Sequence, residues 1–82
     1  MIEKLTKVLE LCYEISTTTD TDVFFKYFPH CGVFDVDYHI GGWTKNKDGT
    51  DIASCAYVTE ENLDRTIAAL EELKETLRED KQ

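Results

Sequence analysis

Residues 23–43 read VFFKYFPHCGVFDVDYHIGGW, and this stretch decides the fold. Because successive side chains of a strand point to opposite faces, a run of alternating apolar residues identifies the buried face. The stretch therefore predicts a β-hairpin that turns at residues 29–32 and places one face in the core. The predicted core-facing residues are Val23, Phe25, Tyr27, Phe34, Val36, Tyr38 and Ile40.

Two registers of this hairpin fit the sequence. A four-residue loop, residues 29–32, places Lys26 opposite Asp35, whereas a two-residue loop, residues 31–32, places Lys26 opposite Asp37. Both registers keep the same residues on the core face, because only an odd shift exchanges the two faces of a strand. The sequence thus predicts the core face and leaves the register open.

The opposite face of the hairpin mixes aromatic, aliphatic and charged side chains. Phe24 and Phe28 lie among charges, and an exposed apolar patch of this kind often marks a contact surface. A third strand, a loop or the chain ends could instead cover the two rings. The candidate residues for protein binding or oligomer formation on this face are Phe24, Lys26, Phe28, His30, Val33, Asp35 and Asp37.

An amphipathic helix is predicted on each side of the strands. Residues 1–16 carry apolar side chains at helical spacing, and the polar run that follows, residues 16–22, favours a loop. Thr59 is a suitable N-cap for the last helix, and Glu60 and Glu61 follow it near the positive end of the helix dipole. The apolar stripes are Ile2, Leu5, Val8, Leu9, Cys12 and Ile15 in the first helix, and Leu63, Ile67, Leu70, Leu73 and Leu77 in the last.

A third strand is predicted over residues 51–58, although its alternation does not show which set of side chains is buried. A chain of 82 residues buries only about 60–65% of its unfolded surface and has room for one small core. We therefore predict one α+β domain, residues 1–82, in the order α-β-β-β-α. Its three-stranded antiparallel sheet is expected to carry both helices on one face. Because that packing leaves Phe24 and Phe28 open, we expect a two-fold dimer.

Charge and composition restrict the partners and the location of the protein. The 17 acidic and 9 basic residues give a formal net charge of −8, which repels phosphate backbones. We therefore expect no direct contact with nucleic acid, and a basic contact surface on any protein partner. The absence of an apolar run of about 20 residues and of a signal peptide predicts a cytoplasmic protein that does not enter membranes.

Catalytic and metal-binding signatures are weak in this sequence. Cys12, Cys31 and Cys55 are odd in number and widely spaced, which disfavours a disulfide framework or a CxxC zinc site. His30 adjoins Cys31, but neighbouring strand residues point apart and no third group is available to orient them. His30, Asp35, Asp37 and His39 are suitable metal ligands that could lie on one face of the hairpin, but their spacing is unspecific. We expect no enzyme activity, no cofactor and no metal site.

A small-molecule site is the alternative to a protein-binding surface. A nucleotide-like ligand needs an aromatic ring for stacking and a few polar groups in a concave site. The end of the hairpin offers such groups, although the tryptophan could instead close the end of the core. The candidate ligand-binding residues are Tyr38, His39, Gly41, Gly42 and Trp43.

Residues 28–43, FPHCGVFDVDYHIGGW, resemble a pattern in short uncharacterised proteins of phages and prophages of Gram-positive bacteria. The pattern runs SPH, then a strand with a hydrophobic-Asp-Val segment, then Gly-Trp. Phe28 stands where those proteins usually have a small polar residue. The resemblance covers mainly residues 23–43, and it implies a phage accessory protein in a bacterial host cell without implying a particular activity.

Two functions follow from these observations. The first is a non-enzymatic binding module that occupies a host protein, for example a defence protein, through an acidic surface or the open sheet face. The second is sequestration of a small nucleotide-like ligand near Trp43. A purely structural homo-oligomer is a further alternative.

Overall fold

Two helices flank three strands in the computed structural model, which describes residues 1–41 and 49–80. This order and the antiparallel sheet confirm the predicted α+β fold. None of the helices in the described residues is long and apolar enough to cross a bilayer. The elements are α1 (Ile2–Thr18), β1 (Asp22–Phe28), β2 (Val33–His39), β3 (Thr50–Tyr57) and α2 (Glu60–Asp80).

The sheet has the order β1-β2-β3, and the hairpin adopts the register with the four-residue loop. Lys26 pairs with Asp35, and Tyr27 pairs with Phe34. In the loop, Gly32 has a φ of 67° and donates its N–H to the carbonyl of Phe28 at 2.9 Å. Glycine adopts this left-handed conformation without the steric cost that a side chain would add.

Strand β3 is irregular. Ala56 pairs with Phe34, but the next paired residue on the core side is Ala53, opposite Val36, so β3 contains one extra residue. Cys55 lies in this bulge with a φ of 50°. The register shifts again between Val36 and its neighbour Asp37. Such bulges bend a strand and interrupt its regular pairing.

Both helices pack on one face of the sheet. The buried core combines apolar side chains from the two helices with Phe34 and Val36 of β2, and α1 lies along β1 while α2 lies along β3. The core residues are Val8, Leu11, Cys12, Ile15, Phe34, Val36, Leu63 and Leu70. The other face of the sheet carries no helix within the described residues.

Ion pairs join the two helices at both ends. Lys4 Nζ lies 2.9 Å from Asp64 Oδ1, and Lys74 Nζ lies 2.6 Å from Glu14 Oε1. The first hydrogen-bonded contact raises the pKa of Lys4, and the second lowers the pKa of Glu14. Because early residues of α1 meet early residues of α2, the helices run parallel to each other.

Several residues predicted to be buried are exposed. In α1, Ile2 is 71% exposed and Leu9 is 56% exposed, because the helix is rotated so that Leu11 joins the core instead. In the hairpin, Tyr27 is 52% exposed and Ile40 is 53% exposed. Two helices cover only the middle of the core face, so the side chains at its margins remain in contact with water.

Candidate binding face

The face of the sheet opposite the helices is called the open face. Register places the predicted protein-binding residues of β1 and β2 on it together, since directly paired residues point the same way. The same rule adds Tyr57 of β3, the partner of Val33. The open face consists of Phe24, Lys26, Phe28, Val33, Asp35, Asp37, His39 and Tyr57, with Asp22 and Asp51 beside His39 and Asp37 at one end.

Two phenylalanine rings on the open face each contact a histidine edge to face. The ring centroids of Phe24 and His39 are 5.5 Å apart with an interplanar angle of 87°. Those of Phe28 and His30 are 6.4 Å apart at 83°. Perpendicular contacts of this kind are favourable for aromatic rings and leave part of each ring accessible. Phe24 is 38% exposed and Tyr57 is 68% exposed. The open face thus presents aromatic surface to solvent.

The two hairpin aspartates have different neighbours. Asp35 Oδ1 accepts the backbone N–H of Cys55 at 2.6 Å, so this carboxylate holds the bulge of β3. Asp37 Oδ2 lies 3.4 Å from His39 Nε2, a contact that is an ion pair only when the imidazole is protonated. Within the described residues no carboxylate lies within ion-pair distance of Lys26, although register places it opposite Asp35. Both aspartates are half-buried, and Lys26 is exposed.

His39 is the most buried side chain of the open face. It is 7% exposed, and its Nδ1 has no hydrogen-bond partner among the described residues. Gly49 lies against the ring so closely that a Cβ at this position would be 2.6 Å from His39 Nε2. Only glycine therefore fits at position 49 while the imidazole stays in place.

The predicted ligand-binding residues are divided between the two sides of the sheet. Tyr38 points to the helix side and lines a cleft of about 480 Å³ against α2, together with Ile40 and Leu73. His39 points to the open face, as alternation requires. Gly41 has a φ of 81° and ends the hairpin, whereas Gly42 and Trp43 lie outside the described residues. The structure therefore does not bring Tyr38 and His39 to one site.

The cysteines lie apart, and their environments differ. Cys12 is in the core, where burial raises the pKa of its thiol to about 11. Cys31 and Cys55 are exposed and form no disulfide. Among the described residues, the His, Cys, Asp and Glu side chains form no group of three that could hold a metal ion.

Sequence analysis did not identify Tyr57 as part of the open face. Its placement depends on the pairing of β3, and the bulge at Cys55 changes which residues of β3 point outward. A simple alternation counted from Ile52 gives no sign of this extra residue. The register shifts of β3 decide the face of Tyr57, and these shifts have no clear sequence signature.

The comparisons with known proteins found no similarity: no protein-family model, no curated protein and no solved structure matches the chain.

Proposed function

We propose that this protein is a non-enzymatic binding module that occupies a basic surface of another protein through its open face. The observation that carries the proposal is the combination of accessible aromatic rings and carboxylates on a sheet face that no helix covers in the described residues. The resemblance of residues 23–43 extends the proposal to a phage or prophage accessory protein, cytoplasmic in a bacterial cell, whose target is a host protein.

A basic partner fits the chemistry of the open face. An arginine guanidinium stacks on aromatic rings and donates paired hydrogen bonds to carboxylates, so it can use both kinds of group at once. Asp37 is paired in register with Asp51, which adds a second carboxylate at this end of the sheet. The net charge of −8 also attracts a basic partner from a distance, and this attraction is screened over about 8–10 Å at physiological salt.

Aromatic residues at the centre of an interface usually contribute most of its binding energy. Phe24 and Tyr57 have the accessible ring surface for this role, and each loss of such an anchor commonly weakens binding by about 10-fold or more. Asp35 is a weaker candidate for direct contact, because its carboxylate already holds the Cys55 N–H.

Affinity capture from host lysate tests the proposal. Wild-type protein should retain a protein with a basic surface at low salt and lose it as salt rises, and the double variant Phe24→Ala, Tyr57→Ala should not retain it. Tyr13→Ala is the matched control, because Tyr13 is 66% exposed but lies on α1, away from the open face. Equal recovery by the double variant and the wild type would show that the open face is not the binding surface.

Sequestration of a small ligand beside His39 is a second candidate function. It is supported by the Nδ1 of this buried imidazole, which has no hydrogen-bond partner in residues 1–41 and 49–80 and could accept a hydrogen bond from a ligand or donate one. Tyr38 would contribute little, because it faces the helices. Titration with nucleotides, followed by the fluorescence of the single tryptophan, Trp43, tests this function. The response should disappear in His39→Asn; no response to any nucleotide in the wild type would contradict ligand binding.

A further inference from the structure

The two edges of the sheet differ. Strand β3 is interrupted by register shifts and by Cys55 at positive φ, features that protect an edge from pairing with another chain. Strand β1 pairs with β2 over seven consecutive residues without a bulge. Its outer edge is therefore straight enough to accept another strand.

Backbone groups on the outer edge of β1 are available at two positions. Val23 N–H points outward and donates to Ser16 Oγ at 3.0 Å. Because N–H groups of an antiparallel strand point outward at alternate residues, those of Phe25 and Tyr27 also point outward. In residues 1–41 and 49–80, no side chain or loop hydrogen-bonds to these two groups.

Helix α1 carries a second stripe of side chains that faces away from the core. Ile2, Leu9 and Tyr13 are 71%, 56% and 66% exposed, and they recur at helical spacing with the exposed Thr6. An apolar groove of about 270 Å³ lies between this outer stripe and β1, and Phe25 and Tyr27 form its wall on the sheet side. The outer stripe, the groove and the edge of β1 form one continuous surface, here called the edge surface.

We propose that the edge surface binds the same surface of a second copy of this chain, so that two sheets join through their β1 strands and the two α1 helices pack antiparallel. This interface lies along the sheet edge and α1 and touches the open face only at Lys26 and Phe28, and the proposal does not depend on the proposed function. It also differs from the dimer expected from the sequence, which used Phe24 and Phe28.

The spacing of the outer stripe favours a second copy over an unrelated partner. Ile2, Thr6, Leu9 and Tyr13 are separated by four, three and four residues, an order that reads the same in both directions. In an antiparallel pair, Ile2 therefore meets Tyr13 of the second copy, and Thr6 meets its Leu9. The stripe contains no charged residue, so the negative charge of each copy does not act directly across the contact.

Helix and strand geometry agree on the position of the two-fold axis. The midpoint between Thr6 and Leu9 lies about 13 Å along α1 from Ser16 at 1.5 Å per residue. This distance corresponds to about four residues along β1 from Val23, which is the level of Lys26 and Tyr27. An axis at Lys26 would place two lysines opposite each other, which is unfavourable.

An axis at Tyr27 avoids this repulsion. It places Lys26 opposite Phe28 of the second copy, where a cation–π contact is possible. It pairs the outward N–H and C=O of Tyr27 with those of Tyr27 in the second copy, and it leaves the bond from Val23 to Ser16 intact. Phe25 then faces Pro29 of the second copy, which lies past the end of β1, so the strand pairing is short and the α1 stripes supply most of the contact. Because only one edge of each sheet is regular, pairing ends at two copies rather than continuing into a fibre.

Light scattering at high micromolar concentration measures the mass of the assembly. Wild-type protein should have twice the monomer mass of 9.5 kDa, and Leu9→Glu should return it to 9.5 kDa because two buried carboxylates would face the partner helix. Phe24→Glu, on the open face, is the control and should remain dimeric. Circular dichroism checks that each variant keeps its helices. A monomeric wild type, or a dimer lost in Phe24→Glu and kept in Leu9→Glu, would overturn the proposal.

Cysteine cross-linking tests the position of the axis. In a background with Cys31→Ser and Cys55→Ser, Tyr27→Cys should form a disulfide-linked dimer under mild oxidation, because the residue on the axis meets its own copy. Tyr57→Cys in the same background is the control, since it is exposed but lies on β3, the edge that does not pair. Equal cross-linking of the two variants, or none with Tyr27→Cys, would exclude an axis at Tyr27.

Discussion

The two faces of the sheet use aromatic residues in opposite ways. Phe34, under the helices, is fully buried and joins side chains from both helices in the core. Phe24, on the open face, keeps 38% of its surface exposed and contacts one histidine. The covered face thus holds the fold together, whereas the open face can change with less loss of stability. The residues that hold the core and the residues proposed for recognition are therefore on opposite faces of one sheet.

Truncation of the two phenylalanines should give the largest difference between the faces. We expect Phe34→Ala to lower the free energy of unfolding by about 3–5 kcal/mol, because it removes buried surface and leaves a cavity. Phe24→Ala should cost about 1 kcal/mol or less, since much of its ring already contacts water. Urea unfolding followed by circular dichroism measures both values. Similar losses for the two variants would contradict the assignment of the core to one face.

Alkaline pH should destabilise the covered face through Cys12. Burial raises the pKa of this thiol to about 11 from an ordinary value of 9.0. The folded state therefore favours the neutral thiol, so this stability is fully present below pH 9 and is lost as the pH rises through 11. We expect a loss of about 2–3 kcal/mol over this window relative to Cys12→Ala. Identical pH profiles for the two proteins would show that Cys12 is not protected in the core.

Removal of a carboxylate should distinguish the structural aspartate of the open face from its neighbour. Asp35→Ala leaves the Cys55 N–H without its acceptor, and we expect a cost of about 1–2 kcal/mol. Asp37→Ala should cost about 0.5 kcal/mol or less, because its contact to His39 Nε2 is long, at 3.4 Å. Chemical denaturation of the two variants provides the comparison. A larger loss in Asp37→Ala would reverse the roles assigned to the two carboxylates.

The smallest effect is expected at the bulge itself. Cys55 adopts a φ of 50°, which costs a residue with a side chain about 1–2 kcal/mol. Cys55→Gly relieves this strain, and we expect a net gain of about 0.5 kcal/mol after the greater flexibility of glycine in the unfolded chain is included. Cys55→Val should destabilise the protein by about 1 kcal/mol, because a β-branched residue tolerates this conformation poorly. Thermal unfolding measures both shifts, and a destabilised Cys55→Gly would contradict them.

The sequence predicts local features of this fold well. Alternation in residues 23–40 identifies the hairpin and its core face, and Thr59 caps α2 as expected, with its Oγ1 accepting the N–H of Asn62 at 3.1 Å. These features depend on neighbouring residues, whose preferences are visible in a short stretch of chain. Only the structure distinguishes the two hairpin registers, because both loop lengths satisfy the same alternation.

Features that depend on contacts between distant parts of the chain were harder to predict from the sequence. The rotation of α1 is set by packing against α2 and the sheet, so Leu11 is buried while Leu9, equally apolar, is exposed. The bulges of β3 lie in its pairing with β2, and they determine the face on which Tyr57 lies. Tyr38 and His39 are neighbours in the sequence, but neighbouring residues of a strand point to opposite faces. Alternation alone therefore already separates them, and the candidate ligand site could have been rejected from the sequence.

The ion pairs between the helices also have a consequence for synthesis of the chain. Lys4 and Asp64, like Glu14 and Lys74, are sixty positions apart in sequence, so α1 meets its helical partner only after the residues of α2 have been made. Until then, α1 and the hairpin expose apolar surface that α2 will later cover. Contacts of such long sequence separation slow folding. A nascent chain that stalls before residue 60 would therefore be an aggregation-prone species, and completion of α2 would coincide with folding.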